Sequence, residues 1–200
     1  MPKVTHQYRD ARRDQILSAA RRCFLRDGFH ATSMQDLFTE AGMSSGAVYR
    51  YFASKDDVIT AIAEENMRDV VAMIHDVASS EPDKPVGTVL ADIFKILQTK
   101  DAQDGQAGLA LLAWSEALRS PVLADRLAGL IAQIRADLTE VVRGHQRAGN
   151  MPQQVSAESL ATVLMSIVPG YILLLATLGS ASVGDVPAAA EALWPQSVSA

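Results

Sequence analysis

The stretch Ser44-Ser45-Gly46-Ala47-Val48-Tyr49-Arg50-Tyr51-Phe52-Ala53-Ser54-Lys55 holds the residues whose types and spacing could do chemistry. The Arg50 guanidinium can give a guanine edge two hydrogen bonds. Small side chains at Ser45, Gly46 and Ala47 let a helix come close to base edges. Hydroxyls at Tyr49 and Tyr51, and helix N-termini at Thr32-Ser33 and Ser44-Ser45, suit phosphate oxygens. Lys55 falls in the first turn of a helix, where the macrodipole disfavours a cation, whereas Asp56 and Asp57 beside it obey that rule. A residue that breaks a local rule without local gain is a candidate for function, with a solvated lysine as the alternative.

Other chemistries find less support. Gly42-Met43-Ser44-Ser45-Gly46 matches the G-x-S-x-G elbow of serine hydrolases, but that motif needs a strand before the serine. The spacing here predicts a helix instead. Histidines at 6, 30, 75 and 145 show no paired metal-ligand spacing and are expected at surfaces or caps. Cys23, the single cysteine, excludes an internal disulfide, fits a reducing compartment and reads as a small buried hydrophobe. No metal or cofactor is expected, and the chain is not expected to be an enzyme.

The elements that must hold the 44–55 stretch are helical throughout, since nothing alternates as a strand does. Ile16, Leu17, Ala20 and Phe24 stripe a first helix from about Arg9 that Gly28 stops. Thr32 and Gln35 form a capping-box pattern for a second, with Met34, Leu37, Phe38 and Ala41 inward. Ser44 caps a third to about Phe52 after the turn at Gly42, which makes a helix-turn-helix over about 33–52. Ser54 caps a long fourth helix through Val58, Ile62, Val70 and Ile74, followed by a Ser/Pro-rich break at 79–85. Further helices are expected around Val89–Leu97, at about Gln106–Leu118, from Ser120-Pro121 to Arg147, at about Ser156–Leu178 and at Val186–Trp194. The whole is an all-α chain of about nine helices: a three-helix DNA-binding head over residues 9–62 and a larger helical body over 63–200.

Charge divides the same way. Residues 1–55 hold nine Lys/Arg and five Asp/Glu, a net +4, and the remainder is −9. A basic head on an acidic body suits a protein that presents one end to a polyanion. The start of the chain lacks the apolar core of a secretory signal. Residues 159–184 carry no charge, a run long enough to span a bilayer. However, Pro169-Gly170 interrupts it, Glu158 and Asp185 flank it, and no Lys or Arg follows Arg147. An all-apolar helix that does not cross a membrane must be covered by protein. A cytoplasmic, membrane-free chain is expected.

With these residues in place, Asp10 to Ile62 resembles the DNA-binding domain of the TetR family of transcriptional regulators. The matching pieces are Ala41-Gly42-Met43-Ser44, Gly46-Ala47-Val48-Tyr49-Arg50-Tyr51-Phe52 and Ser54-Lys55-Asp56-Asp57-Val58, against A-G-V-S-x-G-x-[LIV]-Y-x-[HY]-F-x-[SN]-K-[ED]-x-L. The resemblance implies that Tyr49, Tyr51 and Lys55 bind phosphates, that Ser45, Gly46, Ala47 and Arg50 touch bases, and that Val48 and Phe52 are core. The chain departs from the pattern at Phe38, usually small, and at Met43, usually Val. Both fall where the second helix meets the third, so Phe38 could alter how the third is presented.

The resemblance also implies a homodimer formed through the C-terminal helices, here about 156–178 and 186–194, and a body that holds an inducer. The uncharged run gives an independent reason for a partner, since one face can bury in its own domain and the other cannot. A two-fold dimer predicts a palindromic operator. Candidate lining residues for a small, mainly apolar effector are Phe94, Leu97, Leu111, Trp114, Ile131, Arg135, Met165 and Tyr171. The expected function is a ligand-released repressor acting on double-stranded DNA. An activator or a ligand-independent regulator of the same fold is the alternative, and a hydrolase or a membrane-tethered protein the remote one.

Overall fold

A computed structural model describes residues 6–80 and 84–194. The start of the chain, the middle of the 79–85 break, the last six residues and the Ile74 side chain lie outside the described residues. The order is α1 His6–Ala31, α2 Met34–Ala41, α3 Ser45–Val48, α4 Lys55–Ser80, α5 Val86–Asp104, α6 Gln106–Ala117, α7 Pro121–Arg147, α8 Ala157–Leu178, α9 Ser180–Val183 and α10 Val186–Leu193. No strand occurs among the described residues.

Local chemistry sets most boundaries as expected. Ser54 Oγ accepts from Asp57 N while Asp57 Oδ2 accepts from Ser54 N, a reciprocal cap that starts α4. Ser120 Oγ accepts from Leu123 N, with Pro121 at the first helical position of α7. Ser156 starts α8, and Asp185 caps α10 through Ala188 N. Gly42, at φ 62°, ends α2 in the left-handed region, where a side chain would be strained.

Three expectations are corrected. The cap of α2 is Ser33 paired with Asp36, not Thr32 with Gln35. Gly28 breaks α1 at φ 79°, and one more helical turn follows. That turn carries Thr32 into the interior, where its hydroxyl donates to Gly28 O at 2.8 Å, and the cap passes to the next residue. The third helix is a single turn, Ser45–Val48, because Val48 O takes both Tyr51 N and Phe52 N and closes it early. His145 is buried at the end of α7, where the chain doubles back and Asn150 N bonds His145 O at 2.8 Å. The short α9 was not foreseen.

Two apolar cores form. One joins α1, α2, α3 and the start of α4 to Leu109 and Ala113 of α6 and to Leu123 and Leu127 of α7. The other fills the body between α5, α7, α8 and α10. Met67 and Trp114 pack against both, so head and body share one interior. By length and composition α8 could cross a membrane, yet it packs on α7, α6 and α5.

Candidate nucleic-acid interface and ligand cavity

The turn after Gly42 presents Ser44, Ser45, Gly46, Tyr49 and Arg50 to solvent, with Ala47 and Tyr51 half-buried and Val48 and Phe52 in the core. Ser44, the serine of the hydrolase-like pattern, lies between two helices and caps nothing with its side chain. Tyr49 is 51% exposed, and its ring meets the buried Phe38 edge-on, centroids 5.4 Å apart. The Phe38 departure is therefore a buttress for Tyr49. Thr32, expected at an exposed helix end, offers no side chain to a phosphate. Ser33 at that end is exposed, with its hydroxyl and backbone N–H both on Asp36.

The cations of the head differ in what they hold. Arg13 and Arg21 both bond Glu65 of α4, and Arg13 also lies over the Phe52 ring. Arg22 and Arg26 pair with Glu40 and Asp27. Arg12 bonds Tyr8 and Gln15. Lys55 Nζ donates to Phe29 O at 2.7 Å and Thr32 O at 2.9 Å, with His30 O at 3.5 Å. The unfavourable helix position of Lys55 thus has a local gain that sequence spacing could not reveal: it ties down the end of α1. Among the described cations of residues 6–55, Arg9 and Arg50 alone have no hydrogen bond or ion pair, and Arg50 sits on the recognition turn.

In the body, a cavity of about 370 Å³ opens between α4, α5, α6, α7 and α8. Leu97, Trp114, Ile131 and Met165 line it as expected. The other four candidates do not. Phe94 and Tyr171 are buried against each other with centroids 4.3 Å apart, and burial pushes the Tyr171 phenol up. Leu111 is half-buried outside the lining. Arg135 is exposed, since it lies beside the Leu127, Ile134, Leu138 and Val141 stripe that α7 turns inward. Among the lining residues not foreseen are two amides. Asn66 interrupts the apolar series Ile62, Val70, Met73 on α4, and Gln106 opens α6. An amide set into a helical apolar stripe is the signal that could have found Asn66.

Besides the Glu65 pairs and the shared core, further contacts hold the end of the head and α4 against α6 and α7. Glu64 of α4 bonds Arg126 of α7, and His30 meets Arg119 near Glu116 of α6. Leu25 of α1 rests in a notch at Gly105 and Gly108, where an added Cβ would come within 2.9 and 3.1 Å of its methyls. Cys23, buried beside this contact on α1, has its thiol pushed up by burial and serves as core.

Residues 16–62 match the family model for bacterial regulatory proteins of the tetR family, and residues 89–194 match that for the C-terminal part of BetI-type transcriptional repressors. The HTH-type transcriptional repressor Rv1474c of Mycobacterium tuberculosis is 30% identical over 178 residues, 88% of this chain and 89% of that protein. The HTH-type transcriptional regulator YfiR of Bacillus subtilis is 42% identical over 66 residues, which is 33% of this chain and 32% of YfiR. The solved structure of Salmonella enterica GusR superposes with a TM-score of 0.72 at 25% identity, covering 96% of this chain and 99% of that one.

Proposed function

This chain belongs to the TetR family of bacterial regulatory proteins, and from that premise we propose a homodimeric repressor that leaves a palindromic operator when a small, mainly apolar molecule fills the body cavity. It is a transcriptional regulator with a helix-turn-helix, not an enzyme. The observation that carries DNA reading is Arg50: an exposed guanidinium with no partner among the described residues, flanked by the small residues Ser45, Gly46 and Ala47. Free donors at that position match a guanine edge in the major groove. Tyr49, Tyr51 and Ser44 grip phosphates, and Lys55 serves first to fix the loop behind Ser33 and only then the backbone of the DNA.

The division of labour runs along α4. Val58, Ile59 and Ile62 belong to the core of the head, and Ala63, Asn66, Met67 and Val70 line the cavity. One rigid helix thus touches both effector and reader, and a ligand that prefers one setting of α4 changes the spacing of the two readers. Residues 9–62 act as reader, and 63–200 as sensor and dimer body. The dimer forms through α8 and α10. On α8, Val163, Leu173, Leu174 and Leu178 are exposed without charge between them, as is Leu193 on α10. The protein works in the cytoplasm, where its DNA is.

Competitive gel shift against genomic DNA tests the proposal. A sequence that outcompetes random DNA at moderate salt, with two-fold symmetry in its protected site, is the expected result. Equal affinity for all sequences would sink it.

A further inference from the structure

We infer that the effector is an uncharged molecule, largely hydrocarbon or aromatic, whose one polar group hydrogen-bonds at the Asn66–Gln106 corner of the cavity; this rests on the cavity being the effector site. No Asp, Glu, Lys, Arg or His stands among the described residues that line it. The candidate that could have supplied a charge, Arg135, is exposed outside. A carboxylate or ammonium there would lose its hydration and find no counter-charge, a loss that apolar contacts do not return.

The polar atoms that remain are few. Ser166 donates its hydroxyl to Val163 O at 2.7 Å, which occupies its only proton. Asn66 gives one amide N–H to Gln106 O at 3.3 Å, and its amide oxygen is left to accept. Gln106 and Trp114 belong to the same lining. A ligand hydroxyl can give its proton to Asn66 Oδ1, and a carbonyl can take the second amide proton. The volume of about 370 Å³, filled at interior density, suits roughly 15–20 non-hydrogen atoms. The polar corner joins α4 to α6, so the same bond that selects the ligand bears on the helix that carries the head.

Equilibrium dialysis of the full chain against 4-octylphenol, 4-octylbenzoate and 4-octylbenzylammonium at neutral pH tests this. The phenol is expected to bind at least tenfold more tightly than either ion. If the benzoate or the benzylammonium binds as well, the inference falls while the cavity stands as an effector site. If the phenol does not bind either, the cavity reading fails and takes the inference with it. Asn66→Leu is expected to weaken the phenol about fivefold and Ser166→Ala to leave it unchanged, both checked for unchanged helix content. Equal losses in the two variants would overturn the assigned corner.

Discussion

Arg50 and Lys55 carry the same charge on the same segment, but their surroundings give them different work. Arg50 has no partner among the described residues, so Arg50→Ala should leave folding untouched and relax preference at one base position in each half-site by about 1–3 kcal/mol. Binding to a set of single-base operator variants measures this, and a uniform loss would make Arg50 a phosphate contact. Lys55 is tied to the carbonyls of Phe29 and Thr32, so Lys55→Met should lower stability by about 1–3 kcal/mol in thermal unfolding without DNA. An unchanged melting temperature would return Lys55 to the phosphate alone. Asp36 is held below the usual carboxylate range by the hydroxyl and backbone N–H of Ser33. Its folded value lies below its unfolded one, so the cap contributes fully above the unfolded value and is lost as pH falls through the folded value. Asp36→Asn should flatten the acid limb of a melting-temperature profile. Sequence points to a capping box at Thr32 and Gln35, one residue before the one that forms, because Thr32 and Ser33 are equally able caps. The extra turn after Gly28 decides between them by burying one.

At the scale of elements, the helices with strong caps were legible: α4, α7 and α8 begin at the serines that their sequences offer. What sequence could not give was the lateral arrangement of residues on long helices. Ile131 and Arg135 lie one turn apart on α7, and only packing against α8 shows that the first lines the cavity and the second faces water. Phe38 belongs to the same class. As a departure from a motif it could be noticed, but its edge contact with Tyr49 appears only when α2 and α3 are placed. Phe38→Leu removes that contact, worth about 0.5–1.5 kcal/mol, and should weaken binding evenly across operator sequences in gel shift. A change in base preference would show that Phe38 tilts the whole turn instead. The uncovered face of α8 makes its own prediction. Leu174→Glu, at an exposed position, should yield a folded monomer in analytical ultracentrifugation, and an intact dimer would move the interface elsewhere.

Across the whole molecule, the basic head is less basic than its formal charge implies. Four of its arginines are neutralised in place, two by Glu65 of the body-side helix and two by Glu40 and Asp27. The field that meets DNA comes from a few free groups, so the salt dependence of binding should be shallow for a chain with this composition. The cores are likewise not divided where the charges are, because Leu109, Ala113, Leu123 and Leu127 complete the interior of the head. Leu25 in its glycine notch adds a consequence for protein engineering. Readers and sensors of such regulators look exchangeable by cutting the chain along α4. Here a graft of the first 62 residues onto a foreign body would carry a leucine whose socket stayed behind. The hybrid would lack that socket as well as the body residues that complete the core of the head, and a useful biosensor built from this head must bring Gly105 and Gly108 along with it.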